Sequence, residues 1–313
     1  MIKQTIAKVK PYLRWLILGG TLFFLLKTFK DRFGEISHLR IDSRGWSILA
    51  IAFVCTLLAH IWSAWVWTRI LSLFQQSLGL FPGIRVYLIT NIAKYLPGNV
   101  WHFYARISAI KNQGASTGTA TLCVVLEPLL MAASALLIAI VSTILGFVET
   151  NFSLLGILGQ AVALIVVLIG IHPRILNPVL QRLSRSKNKV QTTGKLKTYP
   201  LLPFLGEIGF ILWRGTGFLA TIMALQTVTL TDIPNLLSAF SIAWLLGLVV
   251  PGAPGGIGVF EATAIALLDR NSFSPGVILL AVGLYRVISI LAEALGAAIA
   301  WVGEQLAINK NHS

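Results

Sequence analysis

The chain has 313 residues, is 56% hydrophobic and only 12% charged, and carries a formal net charge of +14. Soluble domains carry about 25% charged residues, so this composition, with a mean hydropathy of +0.81, excludes a sizeable soluble domain and points to an all-α polytopic membrane protein. The positive charge is spread over connecting loops, which argues against a nucleic-acid partner, and Cys55 and Cys123 both fall in apolar runs, so neither a disulfide framework nor a metal site is expected.

The N-terminus is basic (Lys3, Lys8, Lys10, Arg14) and leads into an apolar run from Trp15 to Leu26. No small-x-small cleavage site follows, so an uncleaved first helix is expected. Apolar stretches predict six spanning helices, at 12–29, 46–68, 118–146, 153–172, 202–228 and 275–302. Two further apolar regions, 80–105 and 236–268, are interrupted by Pro and Gly. They read as re-entrant half-helices that enter and leave on one side of the membrane.

Charge assigns the sides. With the N-terminus inside, residues 1–11 with Arg14, 69–117, 173–201 and the tail hold seventeen Lys and Arg but one acid, Glu304. The outer segments hold five basic residues and six acids. This is the asymmetry of the positive-inside rule, and it puts both termini in the cytoplasm. The segment 173–201 carries seven basic residues and no acid. It is expected to be a flexible cytoplasmic loop, a topology signal with some attraction for anionic lipid heads.

The whole chain, 1–313, reads as one integral membrane domain in two halves, about 1–150 and 151–313. Each half runs helix, helix, broken segment, helix. Three crossings per half would turn the second half upside down, and Gly/Pro-interrupted segments at matching places in inverted halves point to a transporter-like site near the midplane.

The first broken segment contains "AKYLPGNVWHFYAR", with Lys94 just before the Pro97-Gly98 break, then Asn99, and His102 and Arg106 one helical turn apart. Such a hairpin suits an anionic head group; the plainer alternative is a set of interfacial charges. The second contains "PGAPGGIGVFEA". Pro251 and Pro254 cannot continue a helix. Gly255, Gly256 and Gly258 permit a turn that opens a new helix whose free N–H groups can cradle an anion. Glu261 then reads either as an N-terminal acid bonding those amides or as a buried carboxylate that pairs with a cation or takes a proton.

Five charged residues lie well inside predicted spans: Glu127, Glu207, Arg214, Arg286 and Glu293. Charges at that depth are costly and are by default paired or functional. Glu127 precedes Pro128, so a kink is expected there. Glu207 with Arg214, and Arg286 with Glu293, are each seven apart on one helix face, and Arg214 and Glu293 fall at similar depth. The carboxylates can act as ion pairs or as a charge relay, while Arg214 and Arg286 could receive a phosphate crossing the membrane. Gly206, Gly209 and Gly217 allow close helix approach.

The two quoted regions, about 150 residues apart, resemble the signature regions of the lysylphosphatidylglycerol synthase transmembrane-region family, which includes the flippase part of the bacterial multiple peptide resistance factor. The resemblance covers nearly the whole chain and carries over Lys94, Pro97, Gly98, Pro254, Gly255, Gly256, Gly258 and Glu261. It implies a bacterial-type inner-membrane protein that handles anionic or lipid-linked substrates. The aminoacyl transfer in the family name resembles the work of a separate soluble domain, so no enzyme activity and no cofactor are expected of these residues. A transporter of lipids between leaflets is therefore the leading expectation. The alternatives are a membrane enzyme acting on a lipid-phosphate and a non-catalytic scaffold for envelope assembly.

Overall fold

The computed structural model describes residues 40–96, 100–144, 154–184, 195–250, 254–268 and 273–312, with Lys27, Lys30 and Gly34 besides. The expected first span at 12–29 and the residues Pro97, Gly98 and Asn99 lie outside the described residues. Every extended regular element within them is helical.

Helix α1 spans Ser43–Leu73. It starts where the Asp42 carboxylate accepts the Gly45 N–H at 2.6 Å, satisfying one of the amides a helix leaves free. It stops at Gln75, which takes a left-handed φ of 60°. There Gln75 N donates to Ser72 O and Gln76 N to Leu71 O, closing the last carbonyls as a glycine normally would. Helix α2 (Leu80–Asn91) runs into a tight 3-10 turn, Ile92–Tyr95. That turn ends at Leu96 with an extended ψ of 148°, the conformation that the following Pro97 imposes. Helix α3 (Trp101–Lys111) resumes beyond the break. Helix α4 (Thr117–Ile144) continues through Pro128 as one element.

Helix α5 (Leu154–Gly170) is followed by α6 (Pro173–Ser184), bent from it by 63°. The sequence reading of 173–201 as loop is thus corrected over its first third. Arg174 and Arg182 are exposed on a helix that buries Leu176, so the basic spacing masked an amphipathic pattern. Helices α7 (Leu201–Met223) and α8 (Asp232–Val249) come next. Val250, with ψ 117°, ends α8 just before Pro251. A short turn, Pro254–Gly256, leads to α9 (Val259–Leu267), and α10 runs from Pro275 to His312.

Among the described residues α1, α4, α8 and α10 are long and apolar enough to cross a membrane, and a fifth crossing results if the bent pair α5–α6 is one span. α7 has 23 residues but carries Glu207 and Arg214 in its interior, which keeps it less apolar than the four. α8 was expected as one limb of a broken segment, yet at 18 residues it meets the length of a span by itself.

The helices pack through small residues and rings, as they must where lipid offers no hydrophobic drive for association. A Cβ on Gly206 would come within 2.6 Å of Val66, and one on Gly217 within 2.6 Å of the Thr56 hydroxyl, so α1 and α7 lie in close contact. The Trp62 indole donates to the Gly206 carbonyl at 2.7 Å across the same seam. On the other side of α7, the rings of Phe218, Phe240, Phe260 and Tyr285 lie mutually within 5.4–6.0 Å. They tie α7, α8, α9 and α10 together, each ring pair contributing about 0.5–1.5 kcal/mol.

Candidate functional site

The two broken segments meet. A Cβ on Gly255 would sit 2.8 Å from the Tyr95 ring, which puts the turn after α8 directly against the turn after α2. Glycine is required there. Gly255, Gly256 and Gly258 have φ of 59°, 74° and 87°, a region that costs other residues about 1–2 kcal/mol each. A Cβ on Gly256 would also meet the Gly247 backbone at 3.1 Å. Between the turns lies a cavity of about 150 Å³, lined by Lys94, His102, Arg214, Gly255, Gly256, Arg286 and Glu293, with aromatic walls from Tyr95, Phe260 and Tyr285.

Glu293 on α10 is the counter-charge at its centre. It accepts from Lys94 Nζ at 2.7 Å, and His60 Nε2 lies 3.1 Å from the same oxygen. His60 Nε2 is in turn 3.1 Å from Arg214 Nη1. Arg214 and Glu293 therefore meet only indirectly, both against His60 Nε2, which donates to Glu293 or accepts from Arg214 but does not do both at once. Arg214 itself, 7% exposed, makes no ion pair with a carboxylate among the described residues, and its Nε has no hydrogen-bond partner. It lies over the Tyr285 ring at 5.2 Å, while the Tyr285 hydroxyl donates to the Arg214 carbonyl at 3.1 Å.

Glu261 fulfils both readings of it at once. One oxygen accepts the Gly258 N–H at 2.5 Å, capping α9. The other accepts from Arg286 Nε at 2.6 Å. Arg286 Nη1 also donates to the Gly255 carbonyl at 2.9 Å. Arg286 thus pairs with Glu261 rather than with Glu293, its neighbour on the same helix face, and clamps the glycine turn in shape. Pro254 starts that turn.

Arg106 is not part of the cavity. Its Nη1 donates to Glu127 at 2.7 Å, its Nη2 to Asn91 Oδ1 at 3.2 Å and its Nε to Thr90 at 3.2 Å. The guanidinium lies 3.7 Å from the centre of the Tyr87 ring, and the Tyr87 hydroxyl donates to the other Glu127 oxygen. Sequence spacing grouped Arg106 with His102, but a step of four residues advances about 6 Å along a helix, enough to carry it past the cavity into the protein. Glu207 is also away from the cavity, fully buried, with both carboxyl oxygens unpartnered. Sequence reasoning placed it with Arg214.

The sequence model described as Lysylphosphatidylglycerol synthase TM region matches residues 13–296. The chain belongs to that family. It is an integral membrane protein of a lipid-related family, as the two quoted motifs implied. A comparison with curated proteins gave no match.

Within this family member, the motif residues Lys94, Gly255 and Gly256 come together in one cavity with Arg286, which the burial of charge had singled out. Glu261 stands behind them as the partner of Arg286. Three contributors were missed. His60 had a usable signal, an ionisable side chain inside an apolar span; Tyr95 and Tyr285 had none, since aromatics are common in membrane helices.

The charge balance decides what the cavity can do. With the histidines neutral, Lys94, Arg214 and Arg286 face two carboxylates, Glu293 and Glu261. One positive charge remains. A buried charge without a partner costs several kcal/mol, and an anionic oxygen group entering the cavity would supply the partner at charge-assisted strength.

Proposed function

We propose that the protein moves a lipid or lipid-linked molecule with an anionic head group between the two leaflets of the membrane. The observation that carries this is the cavity's surplus of cations: among the described residues Arg214 is its cation without a carboxylate ion-pair partner, at the junction of two chain breaks. Irregular backbone at membrane depth is tolerated where it lines such a cavity, and half-helices meeting near a midplane site are the layout of many carriers. The head group sits against Arg214 and Lys94, and the acyl chains stay in the bilayer. The volume suits a phosphate-sized group with a few waters. In this account the two broken segments are opposed re-entrant hairpins of an inverted repeat. Both termini are cytoplasmic, in a bacterial-type inner membrane, and the protein is a carrier without catalytic activity or cofactor.

A leaflet assay in proteoliposomes tests it. Fluorescent phosphatidylglycerol should cross faster with protein than without, fluorescent phosphatidylcholine should not, and Lys94→Ala should abolish the difference. Protein-independent movement across a panel of anionic lipids would contradict the proposal. Purified protein given lysyl-tRNA and phosphatidylglycerol should form no aminoacyl lipid; product above a protein-free control would make it an enzyme.

A further inference from the structure

Glu207 is the ionisable group that the cavity does not use. It lies on α7 beside Gly206, at the seam with α1, with no exposed surface and no hydrogen bond to either oxygen. The charged groups that act on it are Glu127 from α4 and Arg106 from α3, with the Tyr87 phenol of α2 also in range. The other helices packed on α7, namely α1, α8 and α10, bring it no further charged group. Arg106 is already engaged: Glu127 takes its Nη1 at 2.7 Å and the Tyr87 hydroxyl on the other oxygen. The cluster holds one cation and two carboxyl groups.

Two ways of settling the second carboxyl differ greatly in cost. An ionised, unpaired carboxylate in a low-dielectric interior costs about 20 kcal/mol in the idealised limit and still several kcal/mol after relaxation. A neutral carboxyl without a hydrogen bond costs about 1–3 kcal/mol. We infer that Glu207 is a proton-binding site, holding a dissociable proton in the state seen here, and that this proton is exchanged during the transport cycle. The second half of this inference rests on the transport proposal above; the first half does not.

The coupling element is α3. It presents His102 to the cavity and Arg106, one turn on, to Glu127. It also begins directly after the break that follows Lys94. When Glu207 loses its proton to water on one side of the membrane, Arg106 becomes the shared counter-ion of two carboxylates. The guanidinium then has a second position to occupy, and α3 is drawn toward α7. When the proton returns, Arg106 relaxes onto Glu127 alone. Anything that shifts α3 shifts His102 at the cavity wall, so occupancy of the cavity and protonation of Glu207 bias one another.

Infrared difference spectroscopy on the purified protein, taken through a pH rise, tests the site directly. The wild type should show a buried protonated-carboxyl stretch that disappears as pH rises. Glu207→Gln, nearly isosteric with the neutral acid, should lack that band while its melting temperature is unchanged. A band that persists in Glu207→Gln overturns the site. So does a wild-type protein without the band that instead gains thermal stability on addition of sodium ions, since the carboxyl pair would then be a cation site. In proteoliposomes, an imposed pH gradient should speed anionic-lipid movement by the wild type about tenfold, and Glu207→Gln should lose that response, moving lipid equally fast with and without the gradient. An unchanged gradient response in Glu207→Gln overturns the coupling. If the wild type moves no lipid at all, the transport proposal fails, and the spectroscopic result still decides the proton site.

Discussion

Two clusters of buried charge lie on either side of α3, and they are opposites. The cavity cluster, with Lys94, Arg214, Arg286, Glu293 and Glu261, surrounds open volume and has one cation too many. The packed cluster, with Arg106, Glu127 and Glu207, is buried almost to the atom and has one carboxyl too many. Both draw a cation from the first broken segment and an acid from a long helix, Glu293 from α10 and Glu127 from α4. What separates them is space. Where a cavity is left open, a surplus charge can be met by a molecule that comes and goes. Where side chains close around the surplus carboxyl, a proton meets it.

This contrast can be broken by substitutions that remove one charge from each side. The largest effect is expected from Arg106→Gln. It leaves Glu127 buried without its cation, next to a second carboxyl, and should cost about 3–5 kcal/mol. The measurement is the fraction of monodisperse protein on size exclusion together with the melting temperature in detergent. A fully stable Arg106→Gln protein would mean that the packed cluster is not held by that pair. Next comes Gly256→Leu, which forces a side chain into left-handed φ and against the Gly247 backbone. Strain and overpacking together should cost about 2–5 kcal/mol, and lipid movement should stop because the turn can no longer seat against Gly247 and Tyr95.

Glu261→Gln should have a middling effect. The glutamine oxygen can still accept the Gly258 N–H, so the cap of α9 persists, but the ion pair with Arg286 is lost. A cost of about 1–2 kcal/mol follows for a partly exposed pair, with a larger loss in transport than in melting temperature. If transport were unchanged, Arg286 would be clamping the turn through the carbonyls alone. The smallest stability effect belongs to Arg214→Gln. Among the described residues Arg214 holds no direct ion pair and acts on Glu293 only through space, so melting should shift by no more than the equivalent of about 1 kcal/mol. Anionic-lipid binding should nevertheless weaken about tenfold or more, the worth of a charged hydrogen bond. The two arginines are thus expected to rank in opposite order for stability and for binding.

Much of the scaffold could be read from the residues. Apolar runs located α1, α4, α5 and α7 to within about five residues and α10 at its start, because twenty apolar residues have few alternatives to a buried or spanning helix. α10 continues ten residues past the expected end at 302. The Pro/Gly breaks were legible for the same physical reason, since a residue before proline turns extended and glycine takes positive φ. Which charges would meet was much less so. Equal spacing on one helix put Arg286 with Glu293 and Glu207 with Arg214. A shared face says only that two side chains leave one helix in a similar direction, and the partner is chosen by whichever helix packs opposite. Arg286 therefore found Glu261 on α9, and Glu293 found Lys94 on the turn after α2. Depth counting did better, linking Arg214 to Glu293, though it could not reveal His60 between them. α6 was hidden by its own charges, whose spacing looked like a loop until the buried Leu176 showed the apolar face.

The central claim is that the cavity takes an anionic head group on its surplus cation. Native mass spectrometry of protein extracted with its membrane lipids addresses this most directly. The wild type should retain an anionic lipid adduct, Arg214→Gln should lose it, and Glu207→Gln should retain it because its side chain lies outside the cavity. An anionic adduct held equally by the wild type and Arg214→Gln, or a wild type that retains only zwitterionic lipid, would contradict the account.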